Sequence, residues 1–367
     1  MVKKNILIEY FQEKKTSLEY KLKKLNDLEI NYKRNGDLLI LKYVSESEPI
    51  KEIQKICNGV IIDINLIKIV CLPITKSIEI HNFRNAVPFN RCVIEENIEG
   101  SLINLYYYKN RWNVSSKFSI NADQSKFLSD KTFRQIFDSL INVNNIKLNT
   151  NYTYSFVMNG FNSSIYHIES TNNITGDNIN LDLGIKKPKV LYINNRLNEL
   201  NLNNYDDIEK VVTSFPHNKK GLMIYSTDRL MRASILSDKY VYKRNLIKNQ
   251  GDILYVCLIS LYYDNNKDLI LEYYPHFKEK FLEVESKFNN LLNKLFNIYI
   301  EVKCKKIVTE IPKLYEKPIR NIHQIYKGRL SIRNTKNSSK ITKKDVYLYL
   351  KSLNSKYLYT LVNNYQL

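Results

Sequence analysis

An α+β chain in two parts is the fold class that the sequence predicts: antiparallel sheets over residues 1–245, then a helical, basic C-terminal domain over 246–367. Three observations predict it. Short runs of β-branched and aromatic residues crowd the stretch from Leu38 to Lys243. Beyond Leu246, apolar residues return at helical spacing: Phe277, Phe281, Val284, Phe288, Leu291 and Leu295 step by 4, 3, 4, 3 and 4. The charge is uneven, because Glu301–Leu367 holds 15 Lys+Arg against 4 Asp+Glu, more than half of a net charge of +19.

Each element follows from its local pattern. Phe11, Leu18, Leu22 and Leu25 share a stripe, which predicts a helix over 5–33. Asn35-Gly36-Asp37 then marks a turn. Strands are expected at Leu38–Val44, Val60–Ile64, Ile67–Leu72, Leu102–Tyr108, Trp112–Ser116, Tyr152–Met158, Ile165–Glu169, Gly221–Tyr225 and Tyr240–Lys243. Tyr106–Tyr108 and Trp112 flank Lys109-Asn110-Arg111 as the arms of a hairpin. A helix is expected at Asp123–Val143 and loops over the Asn-rich stretch Asn172–Asn204. The apolar stripe of Phe277–Leu295 lasts under three heptads, so it predicts core packing and not a coiled coil.

Composition excludes several classes. The 367 residues hold only 9 Gly, no two closer than eight positions, so neither a Rossmann fingerprint nor a Walker A loop is present. The five cysteines, Cys57, Cys71, Cys92, Cys257 and Cys304, are widely spaced with no C-x-x-C. They predict buried thiols in a reducing compartment. No apolar run is long enough to span a membrane, and Glu9 interrupts the N-terminal run too early for a signal segment. A cytoplasmic location is therefore expected. An excess of 56 Lys+Arg over 37 Asp+Glu points to a phosphate-bearing or acidic partner. The abundance of Lys, Asn, Ile and Tyr also fits AT-rich coding, but that bias does not account for clustering.

Four glycines stand beside expected strands, in Cys57-Asn58-Gly59-Val60, Ile98-Glu99-Gly100-Ser101-Leu102, Met158-Asn159-Gly160 and Lys219-Lys220-Gly221-Leu222-Met223. Their order and separations resemble the covalent nucleotidyltransferases, and within them the phage-type tRNA-repair RNA ligases, the RNA ligase 1 family. The resemblance runs through Asn58-Gly59-Val60-Ile61-Ile62-Asp63, Pro73-Ile74-Thr75-Lys76 with Asn82 beyond, and Asn97-Ile98-Glu99-Gly100-Ser101-Leu102-Ile103. It continues through Ser116-Lys117-Phe118-Ser119-Ile120, Tyr154-Ser155-Phe156-Val157, Lys220-Gly221-Leu222-Met223 and Ser234-Ile235-Leu236-Ser237-Asp238-Lys239-Tyr240. It implies an RNA ligase-like nucleotidyltransferase domain over 1–245.

The departures from that pattern fall on charged groups. Asn97 stands where the family has its nucleophilic lysine, and an amide nitrogen conjugated with its carbonyl is no nucleophile. Val157 and Lys220 replace two metal-side glutamates, Ser234 and Leu236 replace two phosphate-holding lysines, and Asn58 replaces an arginine. The resemblance so altered implies an RNA ligase-like pseudoenzyme with no catalytic residue, metal or cofactor. Its implied partner is RNA, chiefly the anticodon region of tRNA, bound through Lys76, Lys117, Lys303, Lys305, Lys306, Arg320, Lys327, Arg329 and Arg333, with Tyr315 and Tyr326 interleaved. The setting resembles the immunity proteins of yeast linear killer plasmids. The implied role is protection against an anticodon-nuclease toxin, by shielding the tRNA or holding the nuclease. Two alternatives stay open: an ATP-dependent RNA ligase using an unexpected lysine, Lys76 or Lys117, and a non-catalytic subunit of an RNA-processing complex.

Other groups receive plainer readings. Glu95, Glu96 and Glu99 are expected on a loop rim, and His81, His167 and His217 as single core or surface residues. Strand alternation leaves only some of Tyr106, Tyr107 and Tyr108 able to stack on bases.

Overall fold

The computed structural model describes residues 2–13, 16–45, 51–126, 131–160, 163–193, 196–247, 252–307, 310–332 and 340–364. The chain forms two compact units, Met1–Asn245 and Leu246–Leu367.

The first unit opens with helices α1 (Val2–Gln12) and α2 (Leu18–Asp27) and the antiparallel strands β1 (Ile30–Asn35), β2 (Leu38–Tyr43), β3 (Asn58–Asp63) and β4 (Lys68–Cys71), with α3 (Glu52–Ile56) between β2 and β3. The helix expected over 5–33 is thus two helices and a strand. Ser17 caps α2 by accepting from the Tyr20 amide, and Ile30 turns into the sheet to bury its side chain. Gly36 takes φ +59° in the β1–β2 turn. Strand alternation splits this sheet's side chains. Leu39, Leu41, Val60 and Ile62 pack under the helices with Phe11, Leu22 and Leu25, while Leu38, Ile40, Ile61 and Val70 face Tyr106 and Ile120.

Helix α4 (Ile80–Ala86) leads to β5 (Cys92–Glu96), β6 (Ser101–Tyr108) and β7 (Arg111–Ser116). The β6–β7 hairpin turns on Lys109 and Asn110, both at positive φ (48° and 60°), as a two-residue turn matched to strand twist requires. Helix α5 (Phe133–Leu140) begins at a capping box between Thr132 and Gln135. It is shorter than the helix expected at Asp123–Val143, of which residues 127–130 lie outside the described ones. Strands β8 (Tyr152–Asn159), β9 (Ser164–Asn172) and β10 (Asn178–Ile179) complete a five-stranded antiparallel sheet in the order β10-β9-β8-β6-β7. Its Ile103, Leu105, Val114, Tyr154 and Phe156 bury against Ile136 and Phe137 of α5.

The third sheet comes from β11 (Val190–Ile193), β12 (Leu197–Asn198), β13 (Gly221–Ser226) and β14 (Arg232–Leu236), in the order β12-β11-β5-β13-β14. Helix α6 (Tyr205–Thr213) covers one face, where Leu222, Ile224, Ala233, Ile208 and Val212 form a core. The stretch Asn172–Asn204 therefore carries strands as well as loops. The strand expected at Tyr240–Lys243 is part of helix α7 (Asp238–Asn245). Its aromatic, β-branched run favours a strand locally, but burial of Tyr240 and Lys243, three positions apart, is met by a helix.

The second unit is helical: α8 (Ile253–Tyr262), α9 (Lys267–Tyr273), α10 (Lys278–Tyr299), α11 (Lys313–Ile332), α12 (Lys343–Ser352) and α13 (Ser355–Asn363). The stripe Phe277, Phe281, Val284, Phe288, Leu291 and Leu295 is wholly buried, with α10 packed by α8, α11, α12 and α13. Four cysteines are buried and Cys304 is exposed, against the expectation for that thiol. No described helix is long and apolar enough to cross a membrane.

A cationic cleft as the candidate functional site

Strand alternation builds one wall of the site. On β14, Ala233 belongs to the core with Leu222 and Ile224 of β13, so Arg232, Ser234 and Leu236 project from the other face. Met223 and Tyr225 lie opposite Ser234 and Arg232 on the same face. These side chains line a cleft of about 480 Å³ together with Asn58, Asn97, Ser101, Lys117, Val157, Lys220 and Arg244. A cleft of this volume falls in the range of small-ligand sites, roughly 300–1,000 Å³. The six positions where the sequence departs from the expected ligase pattern, Asn58 on β3, Val157 on β8, Ser234 and Leu236 on β14, and Asn97 and Lys220 beside the ends of β5 and β13, all reach this one cleft.

Two glycines let the walls approach. Gly59, at φ +100°, lies against the Lys117 backbone, where a Cβ would stand 2.9 Å from the Lys117 carbonyl oxygen. Gly221, at φ +142°, sits where a Cβ would run into the Ile235 carbonyl oxygen. Asn58 is buried, and its Nδ2 donates to the Ile74 carbonyl at 2.9 Å, so it ties β3 to the segment after β4. The Asn97 backbone N–H donates to the Gly221 carbonyl at 3.1 Å, which ties the end of β5 to β13.

The electrostatics are one-sided. Lys117, Lys220, Arg232 and Arg244 line the cleft with a single carboxylate, Glu96. Glu95 is engaged elsewhere, accepting from both Arg229 terminal nitrogens at 2.9 and 3.2 Å. Glu99 lies 3.8 Å from Lys243 Nζ. The loop rim expected for the acidic cluster is corrected for Glu95, which is buried near the end of β5 by this paired contact. Arg232 is left with Nε and Nη1 shut off from solvent and without a hydrogen-bond partner.

The two lysines are strongly perturbed. Lost hydration within the cleft pulls the Lys220 ammonium down to about 8, helped by Arg244, Arg232 and Lys117 and opposed by Glu99. Its Nζ donates to the Ile98 carbonyl at 3.1 Å. Lys117 is also lowered to about 8, first by lost hydration and then by Lys42, Arg232, Lys76 and Arg244. By surface area the Lys117 residue is exposed; its ammonium reaches into the concave cleft, where lost hydration comes first and like charge adds to it.

The remaining sequence candidates lie elsewhere. Lys76 does not line the cleft: its Nζ donates to the Ser45 carbonyl at 2.7 Å and lies 4.3 Å from the Tyr43 ring centre. Lys303, Lys305, Lys306, Arg320 and Lys327 are exposed on the second unit. Arg333 and the side chain of Arg329 lie outside the described residues. Tyr315 is buried and has no face for a base, and Tyr326 stacks on His323 with centroids 5.7 Å apart. Tyr106 is buried with its hydroxyl on the Ile120 carbonyl. His167 is buried and lowered to about 4, by desolvation first and then by Lys187. Arg232 and Arg244 were not among the sequence candidates. The alternation Arg232-Ala233-Ser234-Ile235-Leu236 was the signal for the first, since it sets Arg232 on the face opposite Ala233.

No protein-family model matches this chain, and no curated protein matches it. Solved structures of an RNA ligase from Naegleria gruberi are similar to it. A variant of that ligase with AMP and manganese aligns over 47% of this chain and 57% of its own, at 12% identity and a TM-score of 0.33. A variant with ATP and manganese aligns over 46% and 56%, at 11% identity and 0.32. The ligase with pyrophosphate aligns over 47% and 57%, at 12% identity and 0.31. This chain thus spans less than two thirds of that protein's length. The expectation of a chain without catalysis finds no support here: these solved structures are of an enzyme, and nothing among the described residues is a positive sign of inactivity. Lys117 and Lys220 bring two amines to the cleft that Asn97 also lines.

Proposed function

We propose that this chain binds RNA, tRNA in the first instance, by seating a phosphate in the cationic cleft of its first unit. The observation that carries the proposal is the Arg232 guanidinium, with two N–H groups out of solvent and no acceptor. Each such unsatisfied group costs on the order of 1–3 kcal/mol. A phosphate oxygen supplies the charged acceptor that such a donor lacks, and that pairing is stronger than a neutral one. Lys117, Lys220 and Arg244 add positive charge around the same position. The exposed lysines of the second unit supply further backbone contacts, of the kind that give affinity without reading sequence.

Anisotropy titration of labelled tRNA tests the reading. Arg232→Ala is expected to weaken binding about tenfold or more, the loss of charge-assisted hydrogen bonds. Unchanged affinity in that variant contradicts the proposal. The biological use that we propose is protection: a tRNA held at its anticodon region is shielded from an anticodon nuclease. Co-expression with such a toxin is expected to rescue growth, and Arg232→Ala to abolish the rescue.

A second reading is favoured by the lowered ammonium groups of Lys117 and Lys220. A neutral amine attacks the α-phosphorus of ATP; the P–N bond forms, the P–O bond to pyrophosphate breaks, and the amine proton passes to solvent. Intact mass after incubation with ATP and Mg²⁺ separates the readings. An added AMP that disappears in Lys117→Met or Lys220→Met establishes nucleotidyl transfer, and an unmodified mass leaves phosphate binding as the function.

A further inference from the structure

We infer that a phosphate in this cleft is held without a divalent cation, its charge met by side-chain cations built into the walls. The inference rests on the phosphate-binding reading above and specifies its chemistry.

A magnesium ion binds through oxygen ligands, with one or two carboxylates plus waters and phosphate oxygens in near-octahedral array. The residues present do not fit such an ion. The cleft offers one carboxylate, Glu96, against four cations. Val157 presents methyl groups to the cleft and no oxygen. Asn58, with its Nδ2 donating to the Ile74 carbonyl, could offer only a neutral amide oxygen and no charge. Among the described residues, no group of three or more His, Cys, Asp or Glu could hold a metal ion. A divalent ion entering here would meet four side-chain cations against one carboxylate.

The cations fit the anion instead. Lys220 is fixed to the cleft wall by its hydrogen bond to the Ile98 carbonyl. An ammonium keeps further N–H groups for a ligand after making one such bond. Arg232 brings two unpartnered N–H groups from the neighbouring strand, and Gly59 lets the Lys117 backbone pack closely against β3. These charges are covalently attached, so they need no recruitment from solution. In this cleft Lys220 takes the place of the metal.

Calorimetric titration with AMP, whose phosphate Mg²⁺ complexes only weakly, tests this. Wild-type affinity is expected to agree within about twofold, or 0.4 kcal/mol, in EDTA and in millimolar Mg²⁺ at matched ionic strength. Lys220→Arg should keep metal-independent binding. Lys220→Glu should lose binding in EDTA and regain part of it in Mg²⁺, with melting temperature reporting that the variant folds. Wild-type binding that vanishes in EDTA and returns with Mg²⁺ overturns the inference while leaving phosphate binding intact. Absence of AMP and tRNA binding under both conditions overturns the phosphate reading itself.

Discussion

Lys117, Lys220, Arg232 and Arg244 come from four places in the first unit and line one cleft, whereas Lys303, Lys305 and Lys306 are near neighbours in sequence and stand exposed in the second. The two groups carry the same charge and differ in hydration. The exposed lysines keep their water and act on a ligand at a distance that salt screens. In the cleft Lys117 and Lys220 have lost part of theirs, and two nitrogens of Arg232 are shut off from water with no partner in its place. Charge density along a chain therefore finds the surface that attracts a polyanion. The site that holds it is found by convergence in space.

Three experiments sharpen or break that contrast. The largest effect is expected at Arg232. Its replacement by Ala should cost tRNA affinity about tenfold or more, because a desolvated charged donor is worth roughly 1.5–3 kcal/mol. The next is a pH effect. Lys117 and Lys220, both lowered to about 8, are charged below that pH and neutral above it. Their contribution is thus present at pH 7 and lost as pH rises through 8 toward 9. Wild-type affinity should fall over that window, while a Lys117→Met/Lys220→Met double variant should be weaker at pH 7 and nearly flat across it. An equally steep fall in the double variant would show that other groups titrate. The smallest effect is expected in the second unit. Lys303→Gln, Lys305→Gln and Lys306→Gln together should weaken binding only severalfold at moderate salt, yet make the log–log salt dependence shallower by about 2–3. If that triple variant costs more than Arg232→Ala at every salt concentration, the exposed surface, and not the cleft, is the main site.

Much of the fold was legible, and the misses have physical causes. Lys109-Asn110-Arg111 marked a hairpin as a polar break between two aromatic runs, and Asn110 is a residue type that tolerates the positive φ found there. The stripe from Phe277 to Leu295 marked α10 because six apolar residues at helical spacing admit no other element. Tyr240-Val241-Tyr242 misled, since its local preference for a strand was overridden by the burial of Tyr240 and Lys243 on one helical face. The long N-terminal helix failed at Ser17, a capping residue whose role shows only once the Tyr20 amide is seen to need it. At the site, the glycines Gly59 and Gly221 were legible as close approaches. Arg232 was legible only as a residue on the face opposite Ala233, because a single arginine in a basic chain carries no sign that its partners are missing. That is a property of the packed molecule. Lys76 shows the same limit: its contacts with the Ser45 carbonyl and the Tyr43 ring, which set it outside the cleft lining, are invisible in sequence.

The most direct test is the tRNA affinity of Arg232→Ala beside wild type, measured by anisotropy from low to moderate salt. A loss of about tenfold or more that persists across the salt range is the result expected of a desolvated phosphate contact. Equal affinities at every salt concentration would contradict the account, and would place RNA binding on the exposed lysines alone.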